Sequence, residues 1–423
     1  MSGNVKYKKR TVTGNIAALL YLAVVVTVAF TSLYQGLSQY YTDVANASKS
    51  ELIASKAVEY DSDNPDAYKI RGELFLSKND YDAGLSDFES AVNLRPTDYV
   101  LWLRLGYARY KESNFAEAEK AYEKAINLAP NYAQPRWLMG WLYFKQENFD
   151  RAFDYFNQAT DIDFEYLLEL LPLARTTFED DAAIDKAIRP KSLKAKKSTA
   201  LYFIGLNIAS ERNKAFMTSE ELSDDDKNMF VSRLIGQKDF PMAFAVWISK
   251  GENKNIFLSE NNRILNGDFE ADIDSDEASF GWQINRRIEN VDFAIDEQDA
   301  FVGSKLLEIE FEGNSNAEEL ILSQLALVEP NQSYRLTFAA SISELTSGGL
   351  PIITLTDANS GKIIGQSAVI TSTNGKWRKY TIDVRTSDST KAIQVGVRRN
   401  RCNSNLCPAF GFLRLDVFEL KKS

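Results

Sequence analysis

Two facts bound the chemistry open to this 423-residue chain: it contains no histidine, and its only cysteines are Cys402 and Cys407. Without an imidazole there is no histidine-assisted serine or cysteine nucleophile, no histidine-ligated zinc and no imidazole general base. The two thiols enclose a short loop, Cys-Asn-Ser-Asn-Leu-Cys. They either pair, as an oxidising compartment permits, or remain two reduced thiols in a loop; a zinc site would lack two ligands. A pair of carboxylates could still hydrolyse a glycoside. The 59 Asp and Glu residues make accidental pairs inevitable, however, and none is set apart by its context. No phosphate-binding loop or dinucleotide fingerprint occurs. The expectation is a protein that binds and is not an enzyme.

Charge points the same way. A net charge of −10 and a sequence pI near 5.0 argue against nucleic acid, which needs a clustered cationic surface. Two short basic groups stand out. Arg189, Lys191, Lys194, Lys196 and Lys197 read as a solvated face, or more sharply as an attraction for anionic lipid or acidic polysaccharide. Lys6, Lys8, Lys9 and Arg10 precede a stretch from Thr11 to Thr42 with no charged side chain. About twenty apolar residues cross a hydrocarbon layer roughly 30 Å thick, so residues 15–35 are expected to be a transmembrane helix. The basic flank places 1–14 in the cytoplasm and the bulk of the chain beyond the membrane, which in a bacterium makes it a single-pass inner-membrane protein with a periplasmic body. A cleaved signal peptide is the competing reading, with Ala45-Asn46-Ala47 as its small-x-small site; the long polar gap and long apolar run count against it.

Beyond the span a motif returns every 34 residues. Gly72, Gly106 and Gly140 share one phase, and Ala91, Ala125 and Ala159 another; Tyr81, Phe115 and Phe149, then Phe88, Tyr122 and Phe156, are in phase as larger fillers. Pro65, Pro96 and Pro130 are expected to end helices between units. This pattern resembles the tetratricopeptide repeat, a stacked helical solenoid that binds proteins. Residues 45–165 are expected to hold three full repeats and a half-repeat cap around Ala57. The resemblance makes Tyr68, Trp102, Arg136 and Trp137, near first-helix positions, candidate protein contacts or, equally, packing residues. Residues 166–255 stay helical but lose the phase, and read as divergent repeats. There Thr218-Ser219-Glu220-Glu221 fits a capping box for a helix running to Ile235, and Phe240, Ala243 and Trp247 resume the second-helix phase.

From Ile264 the pattern changes to short alternating runs broken by Gly, Asn, Asp, Ser and Pro, with eight candidate strands. An antiparallel sandwich or jelly roll over 261–421 is expected. Its opening, Ile264-Leu265-Asn266-Gly267-Asp268-Phe269-Glu270 followed by Phe280-Gly281-Trp282, and its closing Leu413-Arg414-Leu415-Asp416-Val417 resemble the carbohydrate-binding modules with a galactose-binding-like jelly roll. That resemblance implies a structural calcium held by Glu270 and Asp416, with a main-chain carbonyl near Lys305, although the last strand has one acidic residue where the family often has a pair. Trp282 and Trp377 match positions that pack in the core. Phe293, Phe301, Phe410 and Phe412 could edge a binding face, and no sugar-contact residue is identified.

The whole chain resembles membrane-anchored repeat proteins of bacterial exopolysaccharide and envelope-polysaccharide systems. The expected function is therefore an adaptor that holds protein partners through its repeats and polysaccharide through its β domain. The alternative is a protein-only scaffold for a pilus, secretion or division machine.

Overall fold

A computed structural model describes residues 8–251, 253, 262–273, 279–402 and 407–423, with side chains from residue 16 onward. Lys6, the side chains of Lys8, Lys9 and Arg10, and the boundary expected between 255 and 261 lie outside the described residues. The chain divides into two compact units, Met1–Ala195 and Lys196–Ser423.

The first unit is helical: α1 Lys8–Ser48, α2 Glu51–Tyr60, α3 Pro65–Ser77, α4 Tyr81–Leu94, α5 Tyr99–Lys111, α6 Phe115–Leu128, α7 Ala133–Lys145, α8 Phe149–Ile162, α9 Glu165–Thr177 and α10 Asp181–Ala187. Consecutive helices pack as antiparallel pairs, α3 on α4, α5 on α6 and α7 on α8. The in-phase glycines let them approach. A Cβ on Gly72, Gly106 or Gly140 would lie 3.0, 2.6 or 2.4 Å from the ring of Phe88, Tyr122 or Phe156. The turn inside each pair is equally regular. Asn79, Ser113 and Glu147 take left-handed backbone angles, and the next residue, Asp80, Asn114 or Asn148, caps the second helix through its side-chain oxygen. Pro65 does not end a helix: it is the first residue of α3, where its missing N–H costs nothing. Pro96 and Pro130 lie in the turns between pairs, as expected of helix breakers. One pair carries a buried charge, the bidentate Arg71–Asp87 bridge between α3 and α4, with Asp87 only 4% exposed.

Helix α1 is long and apolar enough in its first part to cross a membrane. It runs on unbroken past the apolar stretch to Ser48 and packs against α2 and α3. The half repeat expected around Ala57 is therefore a complete pair, because α1 supplies its first helix.

The second unit opens with helices and ends with sheets. Helix α11, Leu193–Leu206, straddles the division, followed by α12 Glu211–Met217, α13 Asp224–Gly236 and α14 Phe240–Ile248. The capping box expected at 218–221 is absent. Thr218 ends α12, and Ser223 caps α13 by accepting from the Asp226 amide. The strands are β1 Gln283–Ile284, β2 Val291–Asp296, β3 Leu306–Asn314, β4 Leu322–Leu327, β5 Ser333–Ser347, β6 Pro351–Asp357, β7 Ile363–Gln366, β8 Arg378–Arg385, β9 Ala392–Arg399 and β10 Pro408–Lys422. All pairings are antiparallel, in two five-stranded sheets ordered β1-β4-β9-β6-β7 and β2-β3-β10-β5-β8. Inward residues of both sheets, among them Phe311, Phe338, Leu415, Ile353, Leu355 and Val395, form one core. The short β1 and β7 escape the sequence reading because two to four residues carry no alternation. Helices α11–α14 have a second core of their own, which continues onto Phe280, Ala392, Leu325 and Leu327 of the β domain.

Candidate functional site

Four residues were singled out on the repeats, and the structure gives each a packing duty. Tyr68, Trp102 and Arg136 occupy one phase of the period. Tyr68 packs beside Phe88 and Ala91, with the Arg71 guanidinium 5.5 Å above its ring. Trp102 Nε1 donates to the Pro96 carbonyl at 2.8 Å, and Arg136 makes the same link one period later, to the Pro130 carbonyl at 2.7 Å. Each bond ties a first helix to the turn that leads into it. Trp137 is 7% exposed, with its ring centroid 4.5 Å from Phe156 and 4.8 Å from Tyr166.

The open face lies next to them. Between α5 and α7 runs a groove of about 180 Å³ lined by Val100, Leu103, Arg104, Tyr107, Gln134 and Leu138. The first helices of adjacent pairs present these residues side by side, because each pair repeats the same fold at the next phase. Leu103, Val100 and Leu138 make an apolar floor. Arg104 reaches back to Glu73 on α3 at 2.9 Å, and the Lys111 ammonium stands 5.3 Å over the Tyr107 ring. The Tyr107 contact holds the Lys111 pKa above its ordinary value. An apolar side chain on an extended segment, flanked by groups that accept from Arg104 or Tyr107, suits this groove. The signal for these residues was available. The glycine and alanine phases keep their residue type from repeat to repeat, whereas Val100/Gln134, Arg104/Leu138 and Tyr107/Trp141 change it.

Residues 97–163 match the tetratricopeptide repeat family. No curated protein matches the chain. Among solved structures, a crystal structure of MamA is 22% identical over 39% of this chain and 98% of its own, with a TM-score of 0.29. MamA from Desulfovibrio magneticus RS-1, residue 41 to its end, is 15% identical over 50% and 94%, TM-score 0.28. YrrB, described as a TPR protein with an unusual peptide-binding site, is 16% identical over 50% and 88%, TM-score 0.28.

Beyond the tetratricopeptide repeats, the basic group is neutralised within the chain. Arg189 pairs with Asp154, Lys191 with Asp161, Lys196 with Glu221 and Lys197 with Asp226, and the Lys194 ammonium sits 3.8 Å over the Phe164 ring. Lys197 also holds the Asp226 carboxyl below its ordinary pKa.

Glu270 and Asp416 converge on one segment. Glu270 Oε1 accepts from the amides of Ser304 at 2.6 Å and Lys305 at 2.9 Å, and Oε2 from the Ser304 hydroxyl at 2.7 Å. Asp416, 0% exposed, accepts from Phe301 at 2.8 Å, Val302 at 3.0 Å and its neighbour Val417 at 2.7 Å. The Ser304 hydroxyl and the two amides lower the Glu270 pKa; burial raises that of Asp416 against the pull of its three amides. Calcium requires six to eight oxygens. Here two carboxylates face amide hydrogens, and among the described residues no group of three or more ligating side chains is poised for a metal. As arranged, the two carboxylates are taken up by amide and hydroxyl donors and clamp residues 301–305.

Of the aromatic candidates, Phe410 and Phe412, two residues apart on β10, share its outer face, and the other two do not join them. Phe293 packs toward the core, Phe410 and Phe412 lie along β10 opposite Glu312 and Glu310, and Phe301 meets Trp377 at 5.8 Å. Trp282 is in the core at 2% exposure, as expected. Trp377 is not: it is half-buried, with its Nε1 donating to the Asp299 carbonyl. Cys402 and Cys407 are bonded, with Cα atoms 5.8 Å apart. Arg399, 1% exposed, donates to the Cys407 carbonyl, the Ser347 hydroxyl and both oxygens of Ser315. Beside this bridge opens a polar cleft of about 810 Å³ whose lining includes Arg287, Glu289, Asn316, Glu318, Glu319 and Arg401.

Proposed function

We propose that the chain is a membrane-anchored periplasmic adaptor. Its tetratricopeptide repeats hold a protein partner in the α5–α7 groove, and its β domain contacts polysaccharide in exopolysaccharide or envelope-polysaccharide assembly and export. The groove carries this reading: its lining changes identity from repeat to repeat, over an apolar floor with Arg104 and Tyr107 beside it. For the polysaccharide half, the support is the polar cleft, whose amide, carboxylate and guanidinium groups suit sugar hydroxyls.

The protein-only scaffold for a pilus, secretion or division machine keeps one observation on its side. Phe293 packs toward the core and Phe301 against Trp377, so the four aromatics do not form one platform for stacking a sugar ring.

The test is affinity electrophoresis of the detergent-solubilised full chain through gels containing bacterial polysaccharides. The adaptor reading expects retardation that Asn316→Ala with Arg401→Ala abolishes without changing the melting temperature. A folded chain retarded by no polymer leaves only the scaffold.

A further inference from the structure

The membrane helix and the repeat array are not joined by a linker. Every residue from Ile16 to Gly36 is exposed, and within the same helix Ser38, Thr42 and Ala45 are then 0%, 3% and 0% exposed. Ser38 stands one period before Gly72, and Ala54 one period before Phe88. In the later pairs a bare glycine faces a large ring; here a serine faces an alanine, and the small-against-large fit is remade with both residues small. Ser38 Oγ donates to the Ala57 carbonyl at 2.7 Å and accepts from Asn64 Nδ2 at 2.9 Å. Ala45 joins Ala54, Ile70 and Leu74 in a core spanning α1, α2 and α3. Tyr41 stacks on Tyr60 at 5.1 Å, and Tyr34 closes on the same ring at 6.0 Å.

We infer that α1 serves twice, as the membrane span and as the first helix of the repeat array, so that the inner face of the repeats stands over the bilayer at a fixed height, within reach of a partner held in the same bilayer. This rests on the anchor and groove reading above. From Tyr34 to Ser38 the helix rises about 6 Å, and no residue in between breaks it. Cleavage at Ala45-Asn46-Ala47 would remove most of a packed helix and uncover Ala54, Ala57, Ile70 and Leu74. A height set by the helix discriminates only among partners whose own position over the membrane is set, because a protein free in solution reaches the groove at any height.

The test uses the full chain in lipid nanodiscs, with a donor dye on Lys124→Cys and an acceptor in the lipid headgroups. Three versions are compared: the native register, two alanines inserted after Tyr34, and a six-residue Gly-Ser insertion at the same point. Both insertions lie in exposed helix, so equal melting temperatures are the control for folding. A narrow distance distribution in the first two and a broad one in the third is expected. Equally broad distributions in all three, or a chain recovered from membranes that begins after Ala47, would overturn the inference. For the partner, a photocrosslinker at Arg104 is expected to capture an integral membrane protein, with a several-fold loss on the Gly-Ser insertion, which releases the height. Adducts with soluble proteins, indifferent to that insertion, would refute the partner class while leaving the groove itself in place. Absence of any adduct would instead remove the groove, and the distance measurement would still decide the helix.

Discussion

Glu270 and Asp416 hold the same segment with opposite consequences for stability against pH. The folded state lowers the Glu270 pKa below its ordinary value of 4.5, so the unfolded chain binds the proton more readily. Its contribution is present above about pH 4.5 and is lost as pH falls through the folded value. Asp416 is raised above 3.8 by burial, so its contribution instead shrinks as pH rises from that value. Glu270→Gln should therefore flatten the acid limb of a melting-temperature profile below about pH 4.5. A profile as steep as the parent's would show that the clamp does not exist in solution. At this scale the sequence named both carboxylates, through a motif resemblance, but could not tell an amide clamp from an ion site. That distinction lies in the path of residues 301–305, which no local pattern encodes. Trp377 misled for a related reason: an aromatic at a strand start reads the same whether its ring enters the core or lies along the rim.

Helix pairs depend on how close two backbones come, and the three glycines report this quantitatively. Alanine at Gly72, Gly106 and Gly140 would place its methyl carbon 3.0, 2.6 and 2.4 Å from a ring. Overpacking of this kind costs about 1–3 kcal/mol. The expected order of loss in urea melts is Gly140→Ala above Gly106→Ala above Gly72→Ala. The buried bridge allows a second test. Asp87→Ala leaves Arg71 uncompensated and should cost about 3 kcal/mol, whereas Arg71→Met with Asp87→Ala should recover much of it, since the next pairs place Leu105 and Met139 in the Arg71 phase. Equal losses for the single and double variants would mean that the bridge is not the source. The repeats were legible because each phase carries one steric demand three times over. The first pair was not, since Ser38 and Ala54 meet the same demand with different residues, and the apolar span drew the reading of α1 toward the membrane alone. The misplaced capping box has a similar origin: Thr218 and Ser223 are both fit to cap, and only the geometry of α12 decides between them.

For the second unit, composition marks a change at Ile264, yet compactness draws its limit at Ala195/Lys196, inside the segment 166–255 read as divergent repeats. The cause is a shared core. On β4, Leu322, Gln324 and Ala326 face inward, so Leu325 and Leu327 face out, and there they meet the helices together with Ala358 and Leu265. Phe280 is enclosed by Phe244 at 5.1 Å and Trp247 at 6.0 Å. The Lys238 ammonium adds a hydrogen bond to the Asn359 carbonyl. Alternation along a strand identifies an inner and an outer face but cannot say that the outer one is also covered, which is why the β domain looked self-sufficient. A chain cut before residue 256 would bare Phe280, Leu325, Leu327 and Ala392 together, an apolar patch of the kind that drives association. Residues 256–423 expressed alone should therefore aggregate or bind a hydrophobic dye, whereas 196–423 should be monodisperse in sedimentation and melt as one transition. Two separate transitions in 196–423, with 256–423 soluble and dye-free, would show that the helices merely lean on the sandwich. In that case the domain limit would return to the change of composition at Ile264.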